Sequence, residues 1–153
     1  MNKFDYKNIF KNKHVAISRA ISMVENNEPE IVHFYNEIYR ESNSTLRIGI
    51  TGPPGAGKST LVDQLISCFL SEKKSVGVVA IDPSSPFSGG ALLGDRVRMS
   101  KYSDNDDVYI RSMGNRGDLG GLSRKAQEVG DILAASGKAV SYTHLTLPTS
   151  DLV

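Results

Sequence analysis

The ten residues TGPPGAGKST, Thr51 to Thr60, hold three glycines, two adjacent prolines, one lysine and a serine. Gly52, Gly57, Lys58 and Ser59 fit the spacing G-x-x-x-x-G-K-[ST], which suits a loop that wraps a phosphate. Such a loop must turn successive backbone N–H groups inward. Glycines at 52, 55 and 57 allow the backbone angles and the close approach this needs. A helix starting at Lys58 would aim its first amides and the positive end of its dipole at the anion. In that arrangement Lys58 reaches the β- and γ-phosphates and the Ser59 hydroxyl ligates Mg²⁺. Pro53 and Pro54 stiffen the first half of the loop, Ala56 fills the gap between glycines, and Thr60 enters the helix. Phosphate binding by Gly52, Pro53, Pro54, Gly55, Ala56, Gly57, Lys58, Ser59 and Thr60 is the expectation. Hydrolysis is a separate expectation and needs further groups.

Two carboxylates are candidates. Asp82 closes an apolar run, VVAID, and is placed beside the phosphate loop if the sheet is parallel and open. It either meets Mg²⁺, directly or through water, or starts an Asp-Pro turn. Asp95, in GGALLGDRVRM, is either a second carboxylate for the metal or a solvated loop charge. Arg96 and Arg98 beside it can neutralise phosphate charge or simply face water. His14 and His33 lack metal-ligand spacing and read as surface or partly packed side chains. Cys68 is the sole cysteine; it lies in an apolar helical run and reads as a packed thiol rather than a nucleophile.

These residues need elements to position them. LRIGIT alternates as a strand, Lys58 to Leu70 is helical with Leu61, Val62, Leu65, Ile66 and Phe69 to one side, and VGVVAI reads as a strand covered on both faces. Strand, helix, strand in about 35 residues is a βαβ unit with parallel strands. A long Gly-, Ser- and Pro-rich loop follows, with a helical turn near RVRMSKY, then a third strand at DVYIR and a second glycine-rich loop, SMGNRGDLGG. Ser123 can cap a helix with Leu122, Ala126, Val129 and Leu133 on its apolar side, and Gly137 suits its end. Upstream, HVAISRAISMVENN places Val15, Ala16, Ala20, Met23 and Val24 near one helical face. EPEIVHFYNEIYRE does the same with Ile31, Phe34, Tyr35 and Ile38, with Pro29 in its first turn. Together they predict a helical hairpin.

The bulk composition excludes several partners. Lys plus Arg number 18 against 17 for Asp plus Glu, which makes no electrostatic case for nucleic acid or an anionic membrane. No stretch reaches the ~18 apolar residues of a membrane span, and MNKFDYKNIF has no signal-peptide core. One cysteine permits no internal disulfide. A cytoplasmic protein is the expectation.

The order of the blocks is more specific than any one of them. GITGPPGAGKSTLVDQL, VAIDPSSPFSGGALLGDRVRM and YIRSMGNRGDLGGLS, preceded by AISRAISMVENNEPE, resemble the MeaB/ArgK (MMAA-like) family of P-loop GTPases associated with methylmalonyl-CoA mutase, over roughly residues 13 to 140. The resemblance implies an α/β, three-layer P-loop NTPase fold with a parallel sheet, incomplete here, after an N-terminal helical hairpin. It implies domains at 1–43 (helical), 44–140 (G domain) and 141–153 (a tail). It implies GTP/GDP and Mg²⁺ as ligands, with Lys58 and Asp95 as the residues serving catalysis, Ser59, Asp82 and Asp95 around the metal, and residues 83–98 as switch I. The family couples GTP hydrolysis to adenosylcobalamin delivery to, and protection of, a B12-dependent acyl-CoA mutase, and forms homodimers through a C-terminal arm. From Ser141 the sequence SYTHLTLPTSDLV departs from the family. No ETVG-type switch II, guanine-reading NKxD or dimer arm follows, and the tail reads as foreign sequence that does not complete the sheet.

Two other functions compete. A P-loop kinase of a small metabolite would use the 83–98 loop as a lid over an acceptor pocket. A non-catalytic nucleotide-binding module would hold phosphate and turn nothing over.

Overall fold

The computed structural model describes residues 4–42, 44–53, 55–82, 100–114 and 124–145. Its elements are α1 (Lys7–Phe10), α2 (His14–Glu25), a 3₁₀ turn (Pro29–Ile31), α3 (Val32–Ser42), β1 (Arg47–Gly52), α4 (Lys58–Ser71), β2 (Val76–Asp82), a second 3₁₀ turn (Ser100–Tyr102), β3 (Val108–Gly114), α5 (Arg124–Ala135) and β4 (Ala139–Leu145). The four strands form one sheet in the order β1-β4-β2-β3, and every pairing is parallel. Helices cover both faces. This is the expected α/β layered architecture with a helical N-terminal part.

Strand β2 shows why its sequence is a near-continuous apolar run. Val79 and Ile81 point into the core formed with α2, α3 and α5. Val76 and Val78 point the other way, into a smaller cluster with Val62 and Ile66 of α4. A strand with helices on both faces has no polar face to spend. Gly77 lies under α5, where an added Cβ would stand 3.0 Å from Leu133 Cβ. The absent side chain lets the helix settle onto the sheet.

The predicted hairpin forms, with α2 and α3 joined by a turn in which Asn27 takes φ 54°, a conformation Asn tolerates better than most residues. Pro29 opens the 3₁₀ turn ahead of α3, as its fixed φ favours. The buried face of α2 runs through Ala16, Ile17, Ala20, Ile21, Met23 and Val24. Val15, expected on that face, is 85% exposed; one residue's rotation of about 100° carries it off the stripe that Ile17 and Ile21 define. On α4, Leu61 is likewise outside the core at 51% exposure, and Cys68 is exposed rather than packed. Val62 and Ile66 carry that helix's burial. Short α1 lies outside the predicted elements; it brings Ile9 into the main core and sets the Tyr6 ring parallel to Phe34 at 5.3 Å.

A buried polar network ties the hairpin to the sheet. Asp131 of α5 accepts hydrogen bonds from the Tyr35 hydroxyl of α3 at 2.5 Å and from the Arg47 guanidinium, at the start of β1, at 2.6 Å. The Ser42 hydroxyl donates to the same carboxylate at 3.4 Å. Burial, then the carboxylate beside it, raises the Tyr35 phenol far above its ordinary value. A buried carboxylate is tolerated only when paired and bonded in this way.

β1 and β2 are parallel, as the βαβ reading expects, with β4 inserted between them. One expectation about the sheet is corrected. Residues 141–145, expected to stay out of the sheet, form the second part of β4. Ser141 pairs Ile48 on one side and Val78 on the other. Val140, Tyr142 and Thr143 are residue types that suit a strand irrespective of its origin. Gly137 at φ 84° ends α5 just before it, as expected.

Candidate functional site

β1 ends at Gly52 and α4 begins at Lys58, so the motif sits between a strand and a helix at the carboxyl end of a parallel sheet. That edge is where open α/β sheets bind ligands. Gly55 and Gly57 take φ 78° and 84°, left-handed values that side chains resist. The Leu61 amide makes the first intrahelical bond, to the Gly57 carbonyl at 3.0 Å. The amides at the preceding positions are those a helix start leaves to other acceptors. Lys58 arches back over the loop, its Nζ donating to the carbonyls of Gly52 at 2.7 Å and Pro53 at 2.8 Å. The Ala56 amide bonds to the Pro53 carbonyl at 3.3 Å. Ser59 and Thr60 stand in the first turn of α4. An ammonium, a helix start and left-handed glycines lie within one short loop, and that donor set fits a phosphate group. Pro54 lies outside the described residues.

The carboxylates are placed unequally. Asp82 is the last residue of β2, at the same edge of the sheet as Gly52. It is not adjacent to the phosphate loop as expected: Gly52 pairs with Leu145 of β4, and β2 runs along the other side of β4. Two strand spacings put the two backbones about 10 Å apart. Asp95, with Arg96 and Arg98, lies outside the described residues, as do Leu122 and Ser123. Among the described residues no three His, Cys, Asp or Glu side chains gather as metal ligands. Nucleotide-bound Mg²⁺ draws most of its ligands from phosphates and water, so one or two protein oxygens suffice.

Three clusters carry no motif that sequence reading detects. One is the Asp131 network. Another is at the opposite end of the sheet, where the Asp106 carbonyl faces His14 Nε2 at 2.9 Å, Asn12 Nδ2 at 3.4 Å and Lys138 Nζ at 3.3 Å. His14 is thus partly packed, edge-on to the Tyr109 ring at 5.2 Å. The third joins Asp63 of α4 to Lys101 and Tyr102. Near α5, Arg111 of β3 grips the Glu25 carboxylate and Lys125 Nζ donates to the Glu25 carbonyl at 2.8 Å. These contacts fix the hairpin turn against the end of β3. No described helix is long and apolar enough to cross a membrane.

The family model described as "Methylmalonyl Co-A mutase-associated GTPase MeaB" matches residues 17–142. The chain belongs to the MeaB family. It is 49% identical, over 127 residues, to a protein of Pyrococcus abyssi named as a GTPase, a match covering 83% of this chain and 39% of that one. It is 35% identical to GTPase ArgK of Escherichia coli, over 82% of this chain and 39% of ArgK. It is 33% identical to the mitochondrial methylmalonic aciduria type A homolog of Mus musculus, over 80% of this chain and 33% of that protein. The matches therefore span no more than about two fifths of these relatives' length. Residues 52–59 lie inside the matched stretch.

Proposed function

We propose that the chain supplies the phosphate-binding part of a GTPase that converts GTP to GDP and phosphate and serves a B12-dependent acyl-CoA mutase of the methylmalonyl-CoA type. In this role it governs adenosylcobalamin delivery and protects the mutase. The observation that carries the proposal is the loop itself: left-handed Gly55 and Gly57, the start of α4, and Lys58 drawn over the Gly52 and Pro53 carbonyls. Lys58 and the loop amides would offset charge that develops on the transferred phosphoryl group, the main protein contribution in this chemistry. Ser59, Asp82 and Asp95 would hold Mg²⁺, which when bound would supply charge neutralisation to the phosphates. The names of the MeaB family and of the methylmalonic aciduria type A homolog support the mutase as partner. The division into a helical segment at 1–43, a G domain at 44–140 and a tail from 141 belongs to the same proposal. So do a homodimer, a cytoplasmic location, and the absence of nucleic-acid or membrane partners, the last on the near balance of charge.

The alternative reading is nucleotide binding without turnover. Calorimetry with a non-hydrolysable GTP analogue tests what both readings share. Lys58→Ala removes a charge-assisted contact and should weaken binding by about 1.5–3 kcal/mol. Equal affinity of the two proteins would overturn the assignment. Phosphate release then separates turnover from binding alone.

A further inference from the structure

β1 is one edge of the sheet and, among the described strands, pairs with β4 alone. The Leu46 carbonyl accepts from the Val140 amide at 3.0 Å. Positions bonded to one neighbour alternate along a strand, so Gly49 and Thr51 turn their amides and carbonyls to the open side. The opposite edge, β3, is covered on both faces. Tyr109 and Arg111 meet His14 and Glu25 of α2, and Ile110 packs into the α4 cluster. On β1, Gly49 and Thr51 are exposed, and a Cβ added to Gly49 would meet nothing within 4 Å.

The uncovered surface continues onto α4. Asp63 and Ser67 turn toward Tyr102, on the β3 side of the helix. At about 100° per residue, Leu61, Leu65 and Cys68 take the other flank, toward β1. Leu61 is 51% exposed, Cys68 is exposed and Leu65 is half-buried. Ile50 packs against the α4 cluster, so Leu46 and Ile48 share its face of the strand; Leu46 is 57% exposed. The levels of strand and helix match as well. Lys58 bonds back to the Gly52 carbonyl, which sets the top of the helix beside the top of the strand. From there Gly49 lies about 10 Å down the strand and Leu65 about 10 Å down the helix. Leu65 therefore stands level with Gly49, with Leu61 above it and Cys68 below.

We propose that a second copy of this chain pairs antiparallel along β1, about a twofold axis through Gly49 that passes beside Leu65. The strip is complementary to itself in that register. Gly49 lies opposite the partner's Gly49 and Thr51 opposite the partner's Arg47, so outward-facing backbone groups meet. Ile48 stands across from the partner's Ile50, an apolar cross-strand pair. On the helices, Leu65 meets the partner's Leu65 and Leu61 the partner's Cys68. The pairing closes an open strand edge that otherwise invites association. Strand edge and helix flank together make a strip about 20 Å long and about 20 Å deep, so two copies bury about 1,000 Å² in all, the lower bound for specific pairing. The dimer is therefore weak. It uses only β1 and α4, and it is independent of the reading of the loop as a GTP site.

The test is sedimentation of the 153-residue chain from about 1 to about 100 μM, the span suited to so small an interface. The dimer fraction should rise with concentration. Gly49→Lys sets two ammonium groups side by side at the axis, and Leu61→Glu puts a carboxylate into the apolar flank. Each should weaken pairing by at least about tenfold. Both positions face open space in a single copy, and circular dichroism checks that each variant folds. Leu61→Cys gives a measurement that needs no disruption. With a copper–phenanthroline oxidant it should link to the partner's Cys68, and adding Cys68→Ser should abolish the link. A chain that stays monomeric, a dimer undiminished in a folded variant, or no linked dimer from Leu61→Cys overturns the proposal.

Discussion

Lys138→Met should stabilise this protein at neutral pH and remove a distinctive rise in its stability above pH 8. Lys138 has no solvent-exposed surface. Its ammonium bonds to the Asp106 carbonyl at 3.3 Å, and that carbonyl also faces His14 and Asn12. Burial pushes its pKa down from 10.5 to about 8, with the charges of Asp107 and Asp106 opposing the fall. Below pH 8 both folded and unfolded chains carry the proton, and the fold bears the whole cost of the buried charge. Between about 8 and 10.5 the unfolded chain holds the proton that the folded chain has released, so stability rises with pH across that window. The gap corresponds to a cost of about 3 kcal/mol at low pH, of which about 2 kcal/mol is relieved between pH 8 and 10. Tyr35 and Tyr109 set the upper limit of the experiment. Their phenols are raised by burial, so the stability they contribute is present below pH 10 and is lost above it. Urea unfolding at half-unit steps from pH 7 to 10 would compare the two proteins. The wild-type curve should climb toward the Lys138→Met curve by about 2 kcal/mol. Parallel curves would refute the argument, because the substitution would then have removed no proton linkage.

Gly77→Ala should destabilise the protein by about 1–3 kcal/mol in urea unfolding, because its Cβ meets Leu133 Cβ and Cδ1 at 3.0 Å; an unchanged midpoint would mean that α5 can lift. Amide exchange should protect residues 140–145 as strongly as β2, since β4 is bonded on both edges; rapid exchange there would remove β4 from the centre of the sheet. Asp82→Asn and Asp95→Asn should each lower GTP turnover more than GDP binding in a protein of the relatives' full length, measured by phosphate release, because metal-assisted charge neutralisation matters most in transfer. Unchanged turnover in both would return them to a turn starter and a loop charge.

The sequence showed most where one physical rule acts locally. The turn from β1 into α4 was legible because its backbone angles demand glycines at fixed offsets before Lys58. β2 was legible because double coverage leaves an unbroken apolar run, and the hairpin because its faces repeat at helical period. What escaped depends on partners far along the chain. Nothing in Asp131 announces that Tyr35 and Arg47 converge on it, and nothing in Asp63 announces Tyr102. Strand order escaped too, since a βαβ pattern fixes direction but leaves room for a later strand to insert. β4 takes that place, and the adjacency expected of Asp82 was lost with it.

The geometry of Lys58 bears on how the loop meets its ligand. An ammonium has three N–H groups. Two are directed at the Gly52 and Pro53 carbonyls, so a phosphate oxygen can take the third without either bond breaking. The loop thereby holds its own cation against its first two carbonyls. Binding then requires little rearrangement of the lysine, and less ordering entropy is lost on association. The same arrangement explains why a proline-stiffened loop suits this site. Pro53 supplies one of the two carbonyls, and its fixed φ limits the motion that would draw that carbonyl away. Affinity for the phosphate should therefore depend on the loop backbone as much as on the lysine's charge.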